Sequence, residues 1–563
     1  MKLIKHASAE KLRGGFYTPE PIAAFILMWG INGSSSYDIL EPSCGDGVFL
    51  KHLKKQNYKF NKITAIELDE TEAEKADNIS LNNKAVLNTD FHSYCNETSE
   101  RFDFVVGNPP YIRYQYFDEA QQKEAAKIFN RAGLKYTKLT NAWVSFIVGS
   151  SLLLKEKGKI GFVVPAEILQ VSYAQQLRQF LALFYNKINI VSFKKLVFPD
   201  IQQEVVLLLC EKTGTDSHLI EHLELGDASE LETLEINKLK RLEKQTDFKS
   251  NKWTFYFLEQ EEIDFLETVA QKKSIPKIGD YANVEVGITT GANDYFTVSL
   301  KVVEGYNLQE FAKPMVGRSV QVNSIIFNKE DWKQNRMTKA KAHLLIFPSR
   351  KELDGHKGAN SYILMGESMG INKGYKTSIR DDWFVVPSIK LSEALFIRRN
   401  NLFPKLIVNE AGAYTTDTMH RVFVKPKTKI NAFVASFYNS LSLAFSEISG
   451  RSYGGGVLEL MPSETEKILL PYNDENELLL AQIDRMMRAK KPIDEILKIT
   501  NEHILKKGYG FTDNEIKLAD SIWKKLSARR LNRGKKMFGQ GLTRRSTGQL
   551  PLPLRSKGSC RLP

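Results

Sequence analysis

Short apolar runs, each ending in a polar residue, set the rhythm of the first part of the chain. Tyr37-Asp38-Ile39-Leu40-Glu41 predicts a buried strand, and Pro42-Ser43-Cys44-Gly45-Asp46-Gly47 then leads into the apolar helix start Val48-Phe49-Leu50. Ile63 to Glu67 predicts a second strand and Ala85-Val86-Leu87 a third, which runs on to Asp90-Phe91. A fourth, Asp103-Phe104-Val105-Val106-Gly107, runs straight into Asn108-Pro109-Pro110-Tyr111. Beyond these come an apolar helix over Asn141 to Leu154, ended by Lys157-Gly158-Lys159, and a continuous apolar strand from Ile160 to Pro165. Ile188 to Phe193 and Glu204 to Cys210 predict a last pair, joined through Val197-Phe198-Pro199-Asp200. Unbroken apolar strands alternating with helices are the pattern of a sheet covered on both faces, an α/β fold.

Ligands of such sheets bind outside the carboxyl ends of the strands, where four successive strands here carry polar residues. Small residues at Cys44, Gly45 and Gly47 let backbone N–H groups approach a ligand at a helix N-terminus. About twenty residues further on, Glu67 stands where an acid accepts hydrogen bonds from ribose hydroxyls in nucleotide-type folds. Asp90 and Phe91 are positioned to hold the amine and face of an adenine ring. The Asn108 side-chain carbonyl and the Pro109 backbone carbonyl are two acceptors on a rigid turn, and Tyr111 adds an aromatic face. Such a set suits a planar exocyclic amine with two N–H donors and a ring to stack on. Asn-Pro and Pro-Pro are also ordinary loop punctuation, and Gly-Asp-Gly alone is a weak signal. The order of the blocks is what joins them.

Taken in that order, Glu-Pro-Ser-Cys-Gly-Asp-Gly, Glu67, Asp90-Phe91 and Asn-Pro-Pro-Tyr resemble the class I methyltransferases that use S-adenosylmethionine. More narrowly, they resemble the gamma class of N6-adenine DNA methyltransferases, the TaqI-like methylases of restriction-modification systems. Gly14-Gly15-Phe16-Tyr17-Thr18-Pro19-Glu20, ahead of the first strand, is similar to the N-terminal cofactor motif of that class. The resemblance implies a seven-stranded, doubly wound sheet with a hairpin at its edge, followed by a mixed α/β target recognition domain. It implies S-adenosylmethionine held by Tyr17, Thr18, Pro19, Glu41, Pro42, Cys44, Gly45, Glu67, Leu68, Asp90, Phe91 and Asn108. Catalysis then falls to Asn108, Pro109, Pro110 and Tyr111, with Phe198 as the second aromatic across a flipped base, and no metal. Double-stranded DNA is the expected substrate, a separately encoded restriction endonuclease the expected companion, and a monomer the expected state.

The remaining chain divides by composition. Residues 1–215 read as the catalytic domain, and 216–270 as a helical connector that includes an amphipathic run from Leu231 to Thr246. Residues 271–480 read as the target recognition domain, 481–538 as a C-terminal helical region and 539–563 as a disordered basic tail. In the recognition stretch, Val284 to Phe296, Arg380 to Pro387, Asn409 to Arg421 and Gly450 to Leu460 interleave polar and aromatic residues with glycines, which suits base-edge and phosphate contacts. The net charge of the 563 residues is +13, and twelve Lys or Arg between Lys524 and Pro563, with no Asp or Glu among them, account for nearly all of it. That end is therefore expected to add nonspecific attraction to phosphates. Cys44, Cys95, Cys210 and Cys560 form no C-x-x-C pair, which argues against a zinc cage or a disulfide framework. No apolar run approaches the roughly 20 residues that span a bilayer, and Met1 to Ala7 lacks a signal-peptide core, so a cytoplasmic protein is expected.

Other readings remain at this point. Asn-Pro-Pro-Tyr and related motifs occur in protein glutamine and ribosomal-RNA guanine N-methyltransferases, but the glutamine enzymes are shorter and carry an accessory domain ahead of the catalytic one. A fused restriction-methylation enzyme needs a nuclease domain of roughly 100–150 residues, for which the N-terminus is read as too short, and the last 80 residues carry no convincing acid-acid-lysine cluster. A non-catalytic DNA-binding module is disfavoured because every motif position is chemically intact.

Overall fold

A computed structural model describes residues 17–31, 36–198, 203–215, 218–234, 252–272, 274–453 and 455–532. The strands of the first half form one mixed sheet in the order β3-β2-β1-β4-β5-β7-β6-β8. Its strands are β1 (Asp38–Glu41), β2 (Lys62–Glu67), β3 (Lys84–Asn88), β4 (Phe102–Gly107), β5 (Leu154–Pro165), β6 (Lys187–Phe193), β7 (Val205–Glu211) and β8 (Leu219–Leu225). β3, β2, β1, β4 and β5 run parallel, and β7 runs antiparallel between β5 and β6. Successive residues of one strand feed different cores: Ile39 and Phe104 pack in one cluster and Leu40 and Val105 in another. Helices cover both faces, which is why these strands read as unbroken apolar runs.

Two expectations change here. The last strand pair is not at the edge, because β8 pairs in parallel with β6 from Lys187 opposite Leu219 to Phe193 opposite Leu225. The sheet therefore has eight strands, and part of the expected helical connector is a strand whose Leu-Ile-Glu-His-Leu-Glu-Leu sequence is half-exposed and so lacks a continuous apolar run. β5 also begins ahead of Ile160. Its outer half carries Leu154, which is buried, and Lys155, which lies 2.7 Å from both Asp38 and Asp103, so burial at its first residue and charge at its second hold the extension. Most of the run from Leu231 to Thr246 falls outside the described residues.

Helices α1 (Glu20–Gly30), α2 (Val48–Lys55), α3 (Glu70–Asp77), α4 (Phe91–Glu97), α5 (Glu119–Arg131), α6 (Ala142–Leu152) and α7 (Gln175–Phe184) connect and cover the strands. α6 is apolar all round and buried along nearly its whole length, as expected of a helix enclosed on every side.

The second half holds three small sheets, of which β9 (Ala282–Val286), β10 (Ala394–Ile397), β11 (Leu406–Val408) and β12 (Met419–Val424) form the largest. One hydrophobic core joins these strands to α8 (Gln260–Lys272), α9 (Ser440–Ser449) and the C-terminal helix α10 (Asp513–Asn532). The expected border between recognition and C-terminal helical regions thus has no counterpart in packing, since Phe396, Val422, Leu441 and Trp523 share a single cluster. The Trp253–Phe257 turn bridges the two halves. Trp253 and Tyr256 pack in the core of the large sheet and Phe255 in that of the second half.

Candidate active site

A cavity of about 370 Å³ opens at the carboxyl ends of β1 to β4, and Glu41, Glu67, Asp90 and Asn108 all line it. The turn after β1 builds its floor. Cys44 N–H donates to the Ile66 carbonyl at 2.9 Å, which docks the turn on β2, and Gly47 N–H donates to the Cys44 carbonyl at 2.9 Å. Gly45 and Gly47 adopt left-handed φ values of 52° and 81°, which glycine reaches without strain. A side chain at Gly47 would also lie 2.5 Å from Ile79, whereas Gly45 faces open space.

Glu67 fixes this turn as well as facing the cavity. Its Oε2 accepts from Gly45 N–H at 2.8 Å and its Oε1 from Asp69 N–H at 2.9 Å. A carboxylate has about four lone-pair sites, so two more can accept from the cavity that Glu67 lines. Asp90 is different. Its Oδ2 accepts from the amide of Ser93 at 2.9 Å and the hydroxyl at 3.2 Å, while Oδ1 faces His92 Nδ1 at 3.1 Å and accepts from Gln121 Nε2 at 3.0 Å. These contacts make Asp90 an organiser of the wall of the cavity it lines. Burial pushes its carboxyl up, but the His92 ring, the Ser93 amide and Gln121 outweigh burial and hold it at about 2. Phe91 stacks on Phe146 of α6 with ring centroids 4.8 Å apart, forming an apolar wall beside it.

Glu41 is almost completely buried, and its Oε2 has no hydrogen-bond partner among the described residues. Burial, then the carboxylates of Glu67 and Asp46, push its carboxyl well above the usual range. The lining includes six carboxylates, Glu41, Asp46, Glu67, Asp69, Glu72 and Asp90, and no Lys or Arg. Such a site selects a cation.

Of the other expected residues, Tyr17, Thr18, Pro42, Cys44, Leu68, Phe91 and Pro110 line the cavity. Tyr17 donates to Glu72 Oε1 at 3.3 Å, while Gly14, Gly15 and Phe16 lie outside the described residues. Pro19 is instead the N-cap of α1, and Pro109 is buried beneath the turn. Tyr111 donates to the Val163 carbonyl at 3.2 Å and packs against the cluster that contains Phe198. The structure brings these two aromatics to one cluster but not into the cavity. Pro199 and Asp200 lie outside the described residues. Sequence reasoning missed Glu72, Gln121 and Phe146, which line the cavity from helices. Gln121 sits on an amphipathic helix and Phe146 in a uniformly apolar one, and neither carries a local signature.

Several residues expected to meet DNA are committed inward. Arg421 is buried, donating to the Val286 carbonyl at 3.1 Å, the Ser388 carbonyl at 2.8 Å and Glu285 Oε2 at 3.0 Å. Arg380 donates to the Thr290 carbonyl at 2.8 Å, and Arg451 to Glu464 at 3.1 Å. Asn409 bridges the Ser392 and Ala413 carbonyls, each at 2.9 Å. Among the described residues no group of His, Cys, Asp and Glu is arranged to hold a metal ion, and no helix is long and apolar enough to cross a membrane.

A doubly wound sheet with one reversed strand, and a cavity at the carboxyl ends of its first four strands, define a class I S-adenosylmethionine-dependent methyltransferase fold. Residues 23–198 match the Eco57I restriction-modification methylase, and residues 250–505 match the C-terminal domain of Type II methyltransferase M.Eco57I. The chain belongs to this family of restriction-modification methyltransferases. Type II methyltransferase M.AccI of Acinetobacter calcoaceticus is 26% identical over 87% of this chain and 88% of its own length. Type II methyltransferase M.HincII of Haemophilus influenzae is 32% identical over 33% of each chain. Among solved structures, the type IIG restriction endonuclease BpuSI superposes on 93% of this chain and 67% of its own, with a TM-score of 0.41 and 14% identity.

Proposed function

We propose that this DNA methyltransferase of the restriction-modification class methylates the exocyclic N6 of an adenine flipped out of duplex DNA, with S-adenosylmethionine as methyl donor. The observation that carries the reading is the convergence of Glu41, Glu67 and Asn108 on one carboxylate-rich cavity. S-adenosylmethionine, when bound, supplies an electrophilic methyl group on a cationic sulfur. The residues present fit it: the unpartnered Glu41 Oε2 meets an ammonium, Glu67 retains lone pairs for ribose hydroxyls, and the Phe91–Phe146 wall covers an apolar ring face. A cavity of about 370 Å³ falls within the roughly 300–1,000 Å³ usual for cofactor sites.

The reading gives Asn108 and Pro109 the two amine hydrogens. Accepting them lets the nitrogen turn pyramidal as its lone pair leaves the ring, so the interaction strengthens toward the transition state. No strong base is required. Flipping costs a few kcal/mol, offset by stacking on Tyr111 and Phe198 once the base is out. The structure has the Tyr111 hydroxyl on the Val163 carbonyl, so that bond is exchanged if the ring turns to meet a base. A monomer acting beside a separately encoded endonuclease, in the cytoplasm, completes the reading.

The test is expression in a host without adenine methylation, followed by modification-sensitive single-molecule sequencing. A single recurring motif bearing N6-methyladenine supports the reading. Methylation confined to cytosine, or unmodified DNA alongside an active purified enzyme, overturns it.

A further inference from the structure

Asn141 is the N-cap of α6, yet its side chain does not cap that helix. An Asn at this position ordinarily accepts from the second or third amide of its own helix. Here Oδ1 accepts instead from the backbone N–H of Tyr114 at 3.0 Å, and Nδ2 donates to the Tyr173 hydroxyl at 2.8 Å. Tyr173 passes its own proton to Glu167 Oε2 at 2.6 Å. Burial, then the Glu167 carboxylate, push the Tyr173 hydroxyl above its usual range, which keeps it a donor. The next residue adds a parallel tie, Ala142 N–H donating to the Ile112 carbonyl at 3.0 Å.

The segment Ile112 to Tyr114 directly follows the Asn108-Pro109-Pro110-Tyr111 turn. Its position is therefore set from α6 on one side and, through Asn141, from the segment after β5 on the other. That second segment is itself anchored. Arg178 donates to the Ile168 and Val171 carbonyls at 2.8 and 3.1 Å, and Gln170 exchanges two 2.9 Å bonds with Ser452 of the second half.

We propose that Asn141 and Tyr173 are positioning residues for methyl transfer: they hold the segment after the Asn-Pro-Pro-Tyr turn, and hence the two amine acceptors, without touching the base or the methyl donor. This rests on the function proposed above. Reacting groups held in near-attack geometry supply a large part of a rate enhancement, and a displacement of about 1 Å can cost roughly 100-fold. Losing the Asn141 tie acts through that displacement, so it lowers the rate of the chemical step and spares binding.

The experiment uses the full-length protein and three variants, Asn141→Ala, Asn141→Asp and Tyr173→Phe. Single-turnover methylation of a duplex carrying the parent's site, S-adenosylmethionine affinity by calorimetry and melting temperature are measured for each. Asn141→Ala is expected to lower the single-turnover rate by roughly 10–100-fold, with cofactor affinity and the KM for DNA within about twofold of the parent. Asn141→Asp keeps an acceptor for Tyr114 but loses the donor to Tyr173, and Tyr173→Phe loses the same tie from the other side, so both are expected to fall between Asn141→Ala and the parent. A parental rate in Asn141→Ala overturns the assignment. So does a rate loss accompanied in both Asn141→Ala and Tyr173→Phe by an equal loss of cofactor affinity or a collapsed melting transition, which marks a structural role only. A parent protein inactive on DNA sinks the proposed function, whereas an active parent with equally active variants sinks the positioning role alone.

Discussion

Arg530 and Glu447 form an ion pair at 2.7 Å with both side chains buried, joining α10 to α9. The same guanidinium donates to the Gly456 carbonyl at 2.6 Å and to that of Asn401. Its neighbour Arg529 reaches Glu224 of β8 at 2.5 Å and Glu204 at 3.3 Å, and lies 3.5 Å over the Phe257 ring. Two arginines that the sequence groups with a basic tail thus lock the C-terminal helix against both halves of the molecule. Arg530→Met leaves Glu447 buried without its partner, a loss of about 3–5 kcal/mol, to be read as a lower denaturant midpoint. Replacing both residues, Arg530→Met with Glu447→Leu, is expected to recover much of that loss. A double variant no better than the single one would show that the pair is not the source.

The same contacts divide the C-terminal charge into two parts. Removing residues 539–563 leaves α10 with every contact described above, so cognate methylation persists and only the salt dependence of DNA binding flattens. Ending the chain after Trp523 removes Arg529 and Arg530, and the protein is expected to lose its cooperative melting transition. Binding of cognate and scrambled duplexes at two salt concentrations, beside melting curves, separates the cases. A change in the methylated site on removing 539–563 would place recognition in the tail.

Glu41, Glu67, Asp90 and Asn108 were legible because each is a polar residue closing an apolar run, and strand ends in an α/β sheet converge. What each does was less legible. Asp90 reads as an open acceptor until Gln121 of α5 is seen donating to it beside the adjacent His92 ring. Arg421 reads as a DNA contact because charge in a sequence does not reveal an inward partner, here Glu285 on the adjacent strand. β8 was hidden for a simpler reason. A half-exposed edge strand rich in Glu has neither the apolar run of a central strand nor a clean alternation.

Cofactor binding is expected to release a proton from Glu41. Burial, then Glu67 and Asp46, raise this carboxyl, so the neutral form is favoured in the empty cavity. A bound cation favours the carboxylate. Affinity for S-adenosylmethionine therefore falls as pH drops through the raised value, and calorimetry in buffers of different ionisation enthalpy detects the proton. Glu41→Gln is expected to weaken binding by about tenfold or more, on the scale of one charge-assisted contact, and to abolish the pH dependence. Equal affinity and an unchanged proton count in that variant would assign the cation elsewhere.

Asp90 behaves in the opposite sense. Its carboxyl is held at about 2, below the ordinary 3.8, so the folded state binds this proton less readily than the unfolded chain. The stabilisation is fully present above the ordinary value and is lost as pH falls through about 2. Asp90→Asn is expected to cost about 2 kcal/mol near neutral pH, with the difference from the parent shrinking as acid is added. A pH-independent difference would mean that packing, not charge, is what the substitution removes.

Asn108→Ala tests the chemical centre. The Asn108 side chain lines the cavity at the end of β4, and its backbone carbonyl is tied by the Ser43 hydroxyl at 3.3 Å, so the turn keeps a restraint that does not depend on the amide. Truncating the side chain removes one acceptor whose interaction grows as the amine nitrogen turns pyramidal, and loss of one such preorganised contact lowers a rate by roughly 10²–10³. The effect belongs to the transition state, so the single-turnover rate and kcat/KM fall together, while cofactor affinity and duplex binding change little. Asn108→Asp restores an acceptor but adds a charge, and it is expected to recover part of the rate. A parental single-turnover rate in the alanine variant would remove Asn108 from the chemistry, and a loss confined to cofactor affinity would leave it only as part of the binding wall.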